Sequence, residues 1–125
     1  MFNPVLVSVG KQLVEFCNKG EEARALDEIY DERVVSIEAV GMPGMARETY
    51  DMEELKAKHA RWYDAHEVHE MRAEGPFCFG ESQFTVIFDM DITNKQSAER
   101  MKAREIALYS VLDGKIVREE FFYEA

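Results

Sequence analysis

The chain has 125 residues, enough for one domain with one core and room for an internal cavity. Its composition, 46% hydrophobic and 32% charged, is that of an ordinary globular protein and excludes fibrous and disordered classes. A net charge of −10 argues against nucleic acid, whose phosphates demand a basic patch, and against anionic membrane surfaces; the acidity is read as solubility.

Asn3-Pro4 can open a helix, with asparagine as cap and proline in the first turn. Val5, Val9, Leu13 and Phe16 follow at helical spacing, with Leu6 and Cys17 flanking the same stripe, and Gly20 ends the run. Glu21 to Tyr30 reads as a second, short helix with Ala25, Leu26, Ile29 and Tyr30 as its apolar positions. The period then switches to two from Arg33 to Ala39, which predicts a strand. Residues 41–46 form a loop with Pro43-Gly44 as its turn. A third helix is predicted from about Asp51 to Asp64, with Asp51 as cap and Glu54 as its capping-box partner. Leu55, Lys58, His59 and Trp62 take neighbouring positions on it.

His66 to Phe79 is strand-like, with a break at Gly75-Pro76, and a turn follows at Gly80-Glu81-Ser82. Gln83 to Thr93 alternates: Phe84, Val86, Phe88 and Met90 face one way, Thr85, Asp89 and Asp91 the other. Residues 94–99 are a polar hairpin tip. Glu105 to Leu112 and Lys115 to Tyr123 are the last two strands, and Asp113-Gly114 between them is a strong hairpin signal. Two helices, a strand, a helix and four strands make a single α+β domain over residues 1–125. Its mostly antiparallel meander carries the helices on one face. A curved sheet wrapped around a long helix is a cone, and concave apolar pockets are where small ligands bind.

The chemistry concentrates near the C-terminus, where Glu105, Glu119 and Glu120 lie among Tyr109, Phe121, Phe122 and Tyr123. An acid on a largely apolar surface must be solvated, paired or lining a cavity, because burying one alone is costly. The histidines of His66-Glu67-Val68-His69 are either proton shuttles at neutral pH or hydrogen-bonded edge or surface residues; Glu67 and His69, on one face, are also a weak two-ligand metal pair. Trp62, beside Tyr63, is either an aromatic wall at a pocket mouth or core packing. Met42, Met45 and Met52 are either an adaptable lid or gap-fillers, and Lys58 either reaches a pocket carboxylate or is solvated. Cys17 and Cys78, in apolar contexts without CxxC spacing, are expected to be reduced and signal neither a disulfide framework nor zinc. No run approaches the length of a membrane span and Met1-Phe2-Asn3-Pro4 lacks a basic leader, so the cytoplasm is the expected location.

Two stretches, KQLVEFCNKGEEARALDEIYDERVVSIEA and LYSVLDGKIVREEFFY, carry a resemblance to the nuclear transport factor 2-like superfamily. This is the cystatin-like α+β roll of ketosteroid isomerases, scytalone dehydratase and SnoaL-like polyketide cyclases, and the likeness is nearest to the SnoaL-like proteins. The resemblance implies that HEVH, EIALY and EEFFY lie in or near a cavity. It also implies that the strand faces holding Glu105 with Tyr109, and Val117 with Glu119, Phe121 and Tyr123, turn inward. One face of the sheet would meet the helices and the other a partner copy. The steroid isomerases' tyrosine donor falls on Leu13 and their aspartic acid donor near Ala107, while their catalytic aspartate is nearest Glu38. Two of that mechanism's three parts are therefore missing. Glu119 stands where the cyclases carry a polar residue on the last strand.

If Glu38, Glu105 and Glu119 converge, mutual repulsion and lost hydration should raise at least one carboxyl toward neutrality, a value suited to general acid–base work. The expected function is therefore a small hydrophobic-molecule pocket acting as a cofactor-independent isomerase, cyclase or dehydratase. Glu105 or Glu119 would be the base, with His66 and Tyr123 as proton partner and hydrogen-bond donor, and Trp62, Phe88, Tyr109, Phe121 and Lys58 around the ligand. The alternative is a non-catalytic binding or dimerisation module on the same fold. No cofactor or metal is expected; the partners would be a small hydrophobic molecule and a second copy, a homodimer, without nucleic acid or membrane.

Overall fold

The protein's structure, a computed structural model, describes residues 3–41, 44 and 46–124. Helix α1 (Pro4–Asn18) begins as its sequence dictates: the Asn3 side chain accepts from the Val5 and Leu6 amides, with Pro4 in the first turn. Its buried stripe is Leu6, Val9, Gly10, Leu13 and Cys17, so the stripe is rotated from the expected one: Val5 is 52% exposed. Successive helical residues lie about 100° apart, and the set starting from Leu6 holds the line of contact. Helix α2 (Glu22–Glu28) is shorter than predicted, because Tyr30 already begins strand β1 (Tyr30–Ile37). Strand β2 (Glu48–Tyr50), absent from the sequence reading, pairs antiparallel with β1. Three residues show no periodicity.

Helix α3 (Met52–Ala65) is capped by Asp51, whose carboxylate accepts from the Glu54 amide. Strands β3 (His66–Phe79), β4 (Gln83–Asn94), β5 (Arg100–Leu112) and β6 (Lys115–Phe122) complete a curved, unclosed sheet of order β2-β1-β6-β5-β4-β3. The β1–β6 pair is parallel and the rest antiparallel. Strand β3 runs through Gly75-Pro76 rather than breaking there; the register shifts between Glu74 and Phe77 and pairing resumes. Strand β5 starts five residues earlier than predicted, because Arg100 to Arg104 pair with β4 despite their polarity.

The core lies between the helices and the concave sheet face, with Phe84, Val86 and Phe88 of β4, Ala107 and Tyr109 of β5, Ile116 of β6 and Val34 of β1 against the α1 stripe and Leu55. Two bulges set which residues join it. One leaves His69 unpaired between Val68↔Ile92 and Glu70↔Asp91. The other leaves Val117 unpaired between Ser110↔Arg118 and Val111↔Ile116. The second corrects the expected face: Ile116, not Val117, shares the inner side with Glu119, because one extra residue flips parity. Among the described residues no helix is long and apolar enough to cross a membrane.

Candidate functional site

The open end of the cone encloses a cavity of about 400 Å³, within the usual range for small-ligand sites. Its walls are mostly apolar, yet four carboxylates face it: Glu22 from α2, Glu38 just beyond β1, Glu105 from β5 and Glu119 from β6. The cations on its lining are Lys58 and, when protonated, His59, both from α3.

Glu119 is 1% exposed. The parallel β1–β6 register sets Ser36 directly beside it, and the Ser36 hydroxyl donates to Glu119 Oε2 at 2.7 Å while the Tyr30 hydroxyl donates to Oε1. Two donors satisfy both oxygens of an otherwise prohibitive buried charge. Burial, followed by the neighbouring carboxylate, drives the Tyr30 hydroxyl far above its ordinary pKa, so it stays a donor. The network continues outward. Lys58 Nζ donates to Ser36 Oγ at 2.9 Å and to Glu38 Oε2 at 2.7 Å, and the Tyr123 hydroxyl donates to Glu38 Oε1 at 3.1 Å. Burial and then Glu38 raise Tyr123 to about 12.

A second cluster stands on the helical wall. The Tyr63 hydroxyl donates to Glu22 Oε1 at 2.7 Å, and His59 Nδ1 lies 3.8 Å from Glu22 Oε2. His59 and Tyr63 are four residues apart on α3, hence on one face. Burial raises the Glu22 carboxyl, against the stabilising pull of Tyr63 and His59.

Glu105 differs from the other three. Among the described residues no donor reaches its carboxylate. Burial first, then the charges of Glu38 and Glu22, push it up to about 7, with Lys58 pulling the other way. It lines the cavity beside Phe88, its cross-strand partner.

Of the residues singled out from the sequence, Glu38, Glu105, Glu119, Tyr123, Trp62, Phe88, Tyr109, Phe121 and Lys58 all line this one cavity. His66 does not. Its ring stacks on Trp62 at 4.5 Å between centroids and its Nδ1 meets the Trp62 carbonyl at 2.9 Å. The residue ends α3 and starts β3, and Trp62 one turn earlier captures it. Tyr123 lines the cavity, but its hydroxyl is spent on Glu38, and both Glu119 oxygens are taken. His69 contacts Thr93 Oγ1 at 2.7 Å, and among the described residues no group of three metal-ligating side chains assembles around it and Glu67. Met42 and Met45 of the expected lid lie outside the described residues, and Met52 packs against the core.

The sequence reading missed Glu22, Tyr30, Ser36 and His59 as site residues, and placed Tyr63 only beside Trp62 in the aromatic wall. The i,i+4 spacing of His59 and Tyr63 was a usable signal, as was the shared strand parity of Ser36 and Glu38. Nothing local marks Glu22, whose role depends on α2 folding over the cavity.

The profile of the SnoaL-like domain matches residues 7–123. Among solved structures, a candidate SnoaL-like polyketide cyclase from Mesorhizobium loti, also designated a carbohydrate phosphatase, superposes with a TM-score of 0.87 at 34% identity, covering 93% of this chain and 97% of that one. A candidate isomerase from Bacillus subtilis shares 12% identity at a TM-score of 0.77, over 96% of this chain and 86% of that one. A Xanthomonas campestris protein of cystatin-like fold shares 15% identity at a TM-score of 0.77, over 96% and 91% of the two chains. These last two likenesses are of fold alone. No curated protein matches the chain.

Proposed function

Because the chain belongs to the SnoaL-like domain family, we propose that it is a cofactor-independent enzyme that moves a proton on a small hydrophobic molecule, as an isomerase, cyclase or dehydratase, with Glu105 as general base. The observation that carries this reading is the contrast among the four carboxylates. Glu119, Glu38 and Glu22 each hold a protein donor, whereas Glu105, which has none among the described residues, stands in the cavity at a pKa of about 7. A free carboxyl titrating near neutrality has the basicity to take a carbon-bound proton and the ionised fraction to do so at physiological pH. The apolar walls favour a neutral carbonyl or phenolic compound. The polyketide cyclase designation of the Mesorhizobium relative and the isomerase designation of the Bacillus one agree with such chemistry. The phosphatase designation does not suit this lining, since four carboxylates outnumber its one lysine and one histidine and disfavour a phosphate ester.

The test begins with a thermal-shift screen of hydrophobic ketones, phenols and polycyclic compounds, followed by deuterium exchange of each hit in heavy water. Glu105→Gln should abolish exchange while leaving binding measurable; undiminished exchange in that variant would falsify the assignment of the base. The non-catalytic alternative draws on the same network, which leaves one acid of four free. It requires an affinity independent of pH through neutrality and no exchange at all.

We further propose that a second copy covers the outer sheet face. Ile106 and Phe122, paired across β5 and β6, are 44% and 47% exposed, and Phe77 and Phe79 of β3 extend the same apolar surface at 46% and 47%. A cytoplasmic location remains the working expectation.

A further inference from the structure

Apolar walls alone admit a neutral compound, but the charge standing among them selects further. Of the four carboxylates on the cavity only Glu38 meets a permanent cation, Lys58 at 2.7 Å. Glu119 and Glu22 are held by serine and tyrosine hydroxyls, which satisfy oxygens without cancelling charge, and His59 stands 3.8 Å from Glu22. Glu105 has no donor among the described residues. Acids thus outnumber Lys58 and His59 on the lining, and the chain's net charge of −10 adds a field that draws cations in. Burial and the charges of Glu38 and Glu22 raise Glu105 to about 7, and a cation docked beside it relieves that repulsion. The cavity already seats one cation on an aromatic face, Lys58 over Phe121 at 5.5 Å, and Phe88 beside Glu105 offers another face.

A second polar group on the same wall is unpartnered. Tyr109 is 2% exposed, and among the described residues its hydroxyl has no hydrogen-bond partner, unlike those of Tyr30, Tyr63 and Tyr123. No described side-chain oxygen sealed from solvent lacks a partner, so this hydroxyl opens onto the cavity that Tyr109 lines. Burial first, then Glu119, drives it far above its ordinary pKa, so it stays protonated. Its ring is fixed by stacking on Phe84 at 5.0 Å between centroids. Glu105 and Tyr109 share the inner face of β5, about 13 Å of strand apart, with Ala107 between them. Phe88 and Phe121 flank that stretch from the neighbouring strands. A molecule that reaches both groups is apolar in its middle and polar at each end.

We infer that the cavity binds hydrophobic amines as ammonium ions, with Glu105 as counter-ion and the Tyr109 hydroxyl donating to an oxygen at the ligand's far end. The ligand class is a phenolic arylalkylamine. The ammonium gives Glu105 the charge-assisted hydrogen bonds that no described protein group supplies. The inference needs only the charge on Glu105, not its service as a base, and adds a ligand class to the same cavity.

Calorimetric titration at about pH 8, where the Glu105 carboxyl is ionised, uses three probes. They are tyramine, 2-phenylethylamine, which lacks the hydroxyl, and 4-ethylphenol, which lacks the ammonium. Wild type should bind tyramine tightest. Glu105→Gln should weaken tyramine and 2-phenylethylamine about tenfold or more and spare 4-ethylphenol. Tyr109→Phe, which keeps the ring on Phe84, should weaken tyramine and 4-ethylphenol about fivefold and spare 2-phenylethylamine. Unfolding midpoints are measured alongside, and damage to the fold weakens all three probes together, which neither pattern does. Wild type that binds 4-ethylphenol as tightly as tyramine overturns the inference, as does absence of tyramine binding at millimolar concentration. So does a folded Glu105→Gln variant that keeps the preference for tyramine over 4-ethylphenol, or a folded Tyr109→Phe variant that binds tyramine undiminished. Heavy-water exchange on ketones judges the base separately.

Discussion

Glu105 gives the site its pH dependence. Its carboxyl is raised from 4.5 to about 7 by burial and by Glu38 and Glu22, so between those values the folded chain binds more protons than the unfolded one. Stability should therefore fall as pH rises through that window and level off above it. Glu105→Gln removes the dependence, and denaturant titration at about pH 8 should find it more stable than wild type by on the order of 3 kcal/mol, with the two converging below about pH 5. Activity should run the other way, kcat/KM rising through neutrality as the base ionises. Glu119 belongs to a different regime. Tyr30→Phe deletes one of two donors to a buried carboxylate and should cost about 1–3 kcal/mol in urea unfolding.

At the scale of elements, two contacts hold the cone in shape. The β5–β6 turn places Asp113 at φ 50° and Gly114 at φ 75°, the left-handed pair that a two-residue hairpin requires. A Cβ on Gly114 would meet only an ordinary contact with Val5, so Gly114→Ala should cost just its backbone strain, roughly 1–2 kcal/mol. Gly10 is the reverse case. Glycine inside a helix ordinarily gains about 1 kcal/mol on replacement by alanine. Here the added Cβ would lie 2.6 Å from the Cβ of Pro76, where α1 crosses β3. Gly10→Ala should therefore destabilise, by about 1–3 kcal/mol, and the sign is the test.

For the whole molecule, the sheet has one face filled by helices and cavity and the other carrying Ile106, Phe122, Phe77 and Phe79. If a second copy covers that face, wild type should run as a dimer in light scattering and Ile106→Glu as a monomer. A wild-type monomer at tens of micromolar would sink that expectation. A ligand that fills the cavity should stabilise the fold by about 2.7 kcal/mol at roughly a hundred times its dissociation constant, read as a shift in Tm.

Local physics sufficed for much of this. The Asn3 cap, the Asp113-Gly114 hairpin and the alternation of Phe84, Val86, Phe88 and Met90 were legible, because capping, turn conformation and period-two burial depend on residues near in sequence. The gathering of Glu38, Glu105 and Glu119 around one cavity stood in the sequence only as a condition, since it depends on how distant strands pair. Tertiary structure alone decided which acid is free. The parallel β1–β6 register puts Ser36 and Tyr30 on Glu119, and α3 carries Lys58 to Glu38, leaving Glu105 without a donor among the described residues. The bulge at Val117 decided which face of β6 turns inward, and the pull of Trp62 on His66 decided which histidine stays outside the cavity lining. Apart from the local Trp62–His66 stack, each is a contact between residues far apart in the chain or a single inserted residue, and neither leaves a period in the sequence to read.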